Sequence, residues 1–213
     1  MLTVVSPQKL YLSAGTVMRS PATWQEYQNL CEQRGDNSIP RLKYRSGEIL
    51  LISPVFKHSK NASLIAAIIT TLLDFHEQEY DAFTPITMQL PTISGIEPDY
   101  CFYIDNWPVV AGKERINWGN DPPPDLVLEI DVTSYSDVKD YLPYQVPEIW
   151  LFRNQELLIY QLQENEYILH SHSRYFPDMN LAEIVTQCLK TAYQRNTSAA
   201  IRVLRQKLAG NSL

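Results

Sequence analysis

The sequence feature that most constrains the fold is the segment 125–132, Asp-Leu-Val-Leu-Glu-Ile-Asp-Val, a short apolar run that carries carboxylates. Three prolines precede it and Thr133-Ser134 follow it, so it has the length and boundaries of a buried strand. Because strand side chains alternate, Glu129 and Asp131 project from one face and the aliphatic residues from the other. Two buried carboxylates on one face need compensation, which either neighbouring Lys and Arg residues or a divalent cation can supply.

Length and composition favour one globular domain. We expect a single domain over residues 1–213, with 1–20 as an N-terminal extension and 181–209 as C-terminal helices. The net charge of −6 argues against a protein that coats nucleic acid by bulk electrostatics. It does not exclude catalysis on nucleic acid, because an acidic metal site itself adds negative charge. No signal peptide or membrane span is recognisable, so we expect a cytoplasmic protein.

Hydrophobic periodicity and turn residues predict alternating helices and strands. Thr23-Trp-Gln-Glu fits a capping box that opens a helix ending near Gly35, and Ser46-Gly47 fits the turn of a hairpin. The next helix is predicted over 59–79, just after His58. Further strands are predicted at 83–90, 97–104, 146–152, 157–162 and 167–172, followed by two helices within 181–208 that break near residues 196–197.

A second acidic position lies thirty residues before Glu129, where Asp99 follows a proline. Oxygen ligands on adjacent strands are what a hard cation such as Mg²⁺ needs, and Mn²⁺ is an alternative. A lysine near such a cation can orient or deprotonate the attacking water, and Lys139 is the candidate. Asp131 would assist as a ligand or as a neighbour of the ligands. This order of acids resembles that of the PD-(D/E)XK nucleases.

The flanking motifs make the resemblance more specific. They are Thr23-Trp-Gln-Glu-Tyr, Gly47-Glu-Ile with Ser53-Pro, His58 before a long helix, Glu97-Pro-Asp, Asp125-Leu-Val-Leu-Glu-Ile, Lys139 and Val146-Pro-Glu-Ile-Trp. In content and order they are similar to the Uma2 family, a bacterial branch of the restriction-endonuclease-like fold, from Thr23 to the C-terminus.

The resemblance implies an α/β restriction-endonuclease-like core, with a mixed central β-sheet flanked by helices. It also implies that Asp99 and Glu129 bind metal and that Glu48 and His58 occupy recurrent positions near the site. One departure is Asp131, which stands where the superfamily motif has its lysine, so that Lys139 is the residue that matches a lysine further along. A second is Pro143, which interrupts the segment that presents Lys139.

The expected function is therefore a Mg²⁺-dependent endonuclease that hydrolyses DNA, with a homodimer expected because nucleases of this fold often pair two sites. The alternative is a catalytically inactive fold that serves as an interaction or regulatory module, and an enzyme acting on a small phosphorylated substrate is a third possibility. Simpler roles also stay open for individual residues: Lys139 in a salt bridge to Asp131 or Asp137, His58 as a capping residue and Glu48 in solvent.

Overall fold

The computed structural model describes residues 12–35, 39–84, 86–131 and 136–210. The strands are β1 (Val17–Pro21), β2 (Arg41–Arg45), β3 (Glu48–Ile52), β4 (Asp81–Phe83), β5 (Met88–Leu90), β6 (Ser94–Ile96), β7 (Tyr100–Tyr103), β8 (Leu126–Asp131), β9 (Glu148–Arg153), β10 (Glu156–Gln163) and β11 (Glu166–His170). The helices are α1 (Trp24–Arg34), α2 (Phe56–Phe75), α3 (Trp107–Val110), α4 (Leu181–Gln194) and α5 (Thr197–Gly210), and a 3-10 helix spans Val138–Tyr144.

The central sheet has the strand order β11-β10-β9-β8-β7-β4. Strands β8 and β9 are parallel, and the other neighbours are antiparallel, so the sheet is mixed, as expected from the sequence. The predicted acidic strand is β8, all of whose residues are buried. Its last predicted residue, Val132, lies outside the described residues.

A second sheet, in the order β1-β3-β2-β6-β5, packs on one face of the central sheet. The core between the two sheets joins Met88 and Ile96 of the second sheet to Val127 and Ile149 of the central one. The prediction of one strand over 83–90 was wrong, because β4 and β5 belong to different sheets. Pro85, which lacks an N–H to donate to a strand ladder, lies between them in the sequence.

Helix α2 covers the other face of the central sheet, and α4 and α5 pack beside it. The helix begins at Phe56 and not at residue 59 as predicted, so His58 lies within its first turn. Leu64, Ile65 and Ile68 are fully buried against Leu128 and the other aliphatic residues of that face. The two C-terminal helices and the break between them are as predicted.

The predicted hairpin and first helix are both present. Glu26 and Thr23 form the capping box of α1. In the hairpin, Arg45 of β2 pairs with Glu48 of β3, and the two loop residues have the positive φ angles that its tight turn requires. Strand β2 alternates: Leu42 and Tyr44 face α1, and the basic residues that alternate with them face the central sheet.

Among the described residues, no helix is long and apolar enough to cross a membrane.

Candidate active site

The two predicted metal-binding acids lie next to each other at the junction of β7 and β8. Tyr100 pairs with Leu128 in the antiparallel ladder, so Asp99 and Glu129 fall at the next opposed position. The backbone N–H of Ile130 donates a hydrogen bond of 2.7 Å to Asp99 Oδ2. Both carboxyls are buried, with Asp99 1% and Glu129 8% exposed. The pairing of β7 and β8 therefore brings together acids that are thirty residues apart in the chain.

Glu129 has a raised pKa. Burial is the largest cause, and the negative charge of Asp99 adds to it, so that the pKa rises from 4.5 to about 7. The positive charges of Lys43 and Arg41 and a hydrogen bond from the Tyr141 hydroxyl to Oε1 oppose this rise without cancelling it. Glu129 therefore takes up a proton at a higher pH than an ordinary glutamate does.

Asp99 has the opposite electrostatic behaviour. Burial alone raises its pKa, but His58 and the Arg41 guanidinium, together with the Ile130 N–H, more than reverse that effect. His58 Nε2 lies 3.2 Å from Asp99 Oδ2, and Arg41 forms an ion pair with Oδ1. The pKa of Asp99 is therefore lowered, and this carboxyl stays ionised at neutral pH. His58 thus contacts Asp99, one of the two acids of the site to which the family resemblance assigned it.

Strand β2 supplies the basic side of the site. Two of its residues form ion pairs with one carboxylate: Lys43 with Asp140, and Arg45 with the same carboxylate at 2.5 Å. Arg41, at the start of the strand, pairs with Asp99. The sequence analysis missed these cations, although Arg-Leu-Lys-Tyr-Arg over 41–45 places every second residue of a predicted strand on one face. That alternation was the available signal.

The structure does not bring the other three predicted residues into the acid pair. Asp131 is buried, and Arg153 binds its Oδ2 through two nitrogens at 2.6 and 2.7 Å. Lys139 is exposed on the 3-10 helix, where its backbone N–H donates to an aspartate side chain. Glu48 is half exposed and lies 3.8 Å from Arg19. The buried lysine that acts on Glu129 is Lys43.

A cavity of about 50 Å³ opens beside the acid pair. Glu129, His58, Arg41, Lys43 and Pro54 are among the residues that line it. A cavity needs at least about 10–15 Å³ to hold one water, so this one accommodates a few waters or a small ion with part of its hydration shell.

The donor set fits a divalent cation in part. Asp99 and Glu129 supply carboxylate oxygens, which hard cations prefer, but Arg41 already neutralises Asp99 through Oδ1. Asp131 is bound by Arg153 and does not complete the set. Within the described residues, no group of three His, Cys, Asp or Glu side chains is arranged to hold a metal. Asp99 and Glu129 thus fit as two ligands, and a cation would compete with Arg41 for Asp99.

A mixed sheet with a buried acid pair at its centre is the architecture of the restriction-endonuclease-like fold. The chain belongs to the Uma2 family, whose model, described as "Putative restriction endonuclease", matches residues 24–188. This confirms the resemblance drawn from the sequence motifs.

A solved structure supports the fold. The chain is similar, with 20% identity and a TM-score of 0.54, to a protein from Anabaena variabilis ATCC 29413 described as a "putative nuclease belonging to DUF820". The likeness covers 78% of this chain and 98% of the other. Among curated proteins, none matches the chain. The family and the fold therefore identify the chain as nuclease-like.

Proposed function

We propose that the protein is an endonuclease that hydrolyses phosphodiester bonds of DNA with the help of a divalent cation, Mg²⁺ or Mn²⁺. The observation that carries the proposal is the buried pair Asp99 and Glu129, whose pKa values are driven in opposite directions beside a cavity with basic walls. Pairs of titratable groups with separated pKa values are typical of acid-base catalysis. Membership of a family of nuclease-like proteins supports the choice of nucleic acid as substrate.

The two acids divide the work in this proposal. Asp99, held ionised by His58 and Arg41, is the permanent carboxylate that a cation would bind, and Glu129 is the second. When bound, the cation supplies charge neutralisation at the phosphate and a more acidic water. Before a cation binds, the pKa of Glu129 is about 7, near the operating pH at which a general base works best, so this carboxylate can accept the proton of the attacking water as long as Asp99 alone holds the cation.

The basic residues of β2 complete the chemistry. Hydrolysis of a phosphodiester adds negative charge to the phosphate in the transition state, and fixed positive charges in a partly buried site stabilise that charge. Lys43 and Arg41 line the cavity with Glu129. The role predicted for Lys139 therefore falls to Lys43, and Asp131 serves to orient Arg153 instead of acting as a ligand. A homodimer would place two such sites on one duplex, and the mass of the protein in solution tests that part.

Cleavage of a supercoiled plasmid tests the proposal. We expect nicking with Mg²⁺ or Mn²⁺, none with excess chelator, and none by Glu129→Gln, which keeps the shape of the side chain but cannot take up a proton. Glu48→Gln is the matched control, because Glu48 is half exposed outside the cavity, and it should cleave like wild type. Equal cleavage by both variants, or cleavage that chelator leaves unchanged, would contradict the proposal.

Metal binding is tested without cleavage. The cation should raise the melting temperature of wild type, because a ligand that binds only the folded state stabilises it by mass action, and Asp99→Asn should lose the increase. An unchanged increase in that variant would place the cation elsewhere.

A second candidate is a non-catalytic module, and a specific observation favours it. Arg41 compensates Asp99 and Arg153 compensates Asp131, so these two buried acids already have a cation from the protein itself. A protein of this kind would be expected to show neither metal-dependent stabilisation nor cleavage.

A further inference from the structure

Phe56 is the most exposed large apolar side chain in the described part of the chain. It is 84% exposed, and the next, Ile93, is 58% exposed. Full burial of a phenylalanine is worth about 1.5–3 kcal/mol, and Phe56 gains almost none of it within the protein. Since single exposed apolar residues are common, its position must carry the argument.

Phe56 is next in sequence to residues that line the cavity beside Glu129. Pro54 and Val55, immediately before it, line that cavity, and so does His58, two residues after it. Phe56 is the first residue of α2, and the backbone N–H of His58 donates to Val55 O at 3.0 Å across it. The ring is therefore presented to solvent by a fixed turn next to the proposed reaction centre, and only its two side-chain torsions remain to be ordered by a ligand.

The basic residues of the cavity and of the start of α2 favour a phosphate-linked ligand. Arg41 and Lys43 line the cavity, and Lys57, next to Phe56, is exposed. A nucleotide has both parts that this surface complements, an anionic phosphate and a flat apolar base. In a duplex the neighbouring base pairs cover the faces of each base, so an aromatic side chain stacks much more readily on a base that is unpaired.

We propose that Phe56 is a positioning residue that stacks on an unpaired nucleobase beside a phosphodiester bound at the mouth of the cavity, so that the protein prefers single-stranded or locally unpaired DNA. This rests on the proposed function, because it takes the mouth of the cavity as the place where the phosphodiester binds. It adds the substrate class and names a side chain that selects it.

The proposal is tested by measuring, in calcium buffer, how tightly the protein binds a labelled single strand and the duplex of the same sequence. Stacking is worth about 1–3 kcal/mol per base, so Phe56→Ala should weaken single-strand binding by about 5- to 150-fold, and duplex binding should not change. Phe56→Trp should bind like wild type. The matched control is Phe75→Ala, which removes the same side chain from the opposite end of α2, where it is 40% exposed, and it should leave binding unchanged.

A fluorescent base analogue in the single strand gives a second readout. Its emission should be quenched on binding to wild type and to Phe56→Trp, but not to Phe56→Ala, because stacking quenches it. Equal binding by wild type and Phe56→Ala, or equal losses in Phe56→Ala and Phe75→Ala, would overturn the inference and leave the nuclease proposal standing. If wild type binds no DNA at all, the proposed function fails with it. Loss of self-association in Phe56→Ala, with DNA binding unchanged, would make Phe56 a contact between two copies of the chain and would also overturn the inference.

Discussion

The buried glutamate Glu129 makes a quantitative prediction about stability and pH. Its pKa is about 7 in the folded protein against 4.5 as the ordinary value. A group with a raised pKa stabilises the fold when it is protonated, and this contribution is complete below pH 4.5 and lost as the pH rises through 7. The difference corresponds to about 3 kcal/mol, most of which is lost between pH 5 and pH 8. The free energy of unfolding of wild type should fall by this amount through the titration of Glu129 alone.

Glu129→Gln removes the titration and keeps the shape of the side chain. Tyr141 can still donate its hydrogen bond, because the amide oxygen replaces Oε1. We therefore expect the free energy of unfolding of Glu129→Gln to gain about 2–3 kcal/mol on that of wild type between pH 5 and pH 8, whatever the offset between the two proteins at pH 5. For a chain of this size that is a relative increase of about 5–10 °C in melting temperature.

Chemical denaturation of both proteins at several pH values, with chelator present, measures the difference. Glu48→Gln is the control, because it makes the same substitution at a half-exposed glutamate outside the cavity. Parallel stability curves for wild type and Glu129→Gln from pH 5 to pH 8 would refute the reasoning. They would mean that the basic residues of β2 compensate the carboxylate fully and that Glu129 is ionised throughout this range.

Three further predictions follow from the ion pairs. Arg41→Gln should raise the affinity for Mn²⁺, measured calorimetrically, by about tenfold or more, because it removes the competing cation from the aspartate; an unchanged or lower affinity would contradict the competition. Lys43→Met should lose plasmid cleavage while Lys139→Ala keeps it, and the opposite result would return the catalytic role to the exposed lysine. Arg153→Met should lower the free energy of unfolding by about 2 kcal/mol, because it leaves Asp131 buried without this partner; a change below about 0.5 kcal/mol would mean that this pair is not needed.

Local chemistry made several parts of the fold predictable. The capping box at Thr23 fixes the start of α1, because it satisfies backbone N–H groups that only a helix terminus exposes. Ser46-Gly47 fixes the hairpin, because a two-residue turn of this type needs positive φ angles. The alternation in β8 identifies a buried strand with acids on one face. These signals depend on residues within a few positions of one another, so the sequence carries them directly.

The long-range pairings were decided by the tertiary structure. Two acids on one strand require compensation, and the sequence left open whether a metal or protein cations would supply it. Asp131 of that strand is paired with Arg153, because β9 runs parallel to β8. Asp99, next to the same strand, is paired with Arg41, because the second sheet lays β2 against the acids.

The tertiary structure also decided which lysine lies at the site. Lys139 follows the acidic strand closely in sequence but faces solvent, whereas Lys43, far away in the chain, lies in the cavity. Strand alternation determines which side chains share a face, and a single sequence therefore contains that information. Which faces then meet depends on how the two sheets pack, and only the folded chain determines the charges that surround Glu129.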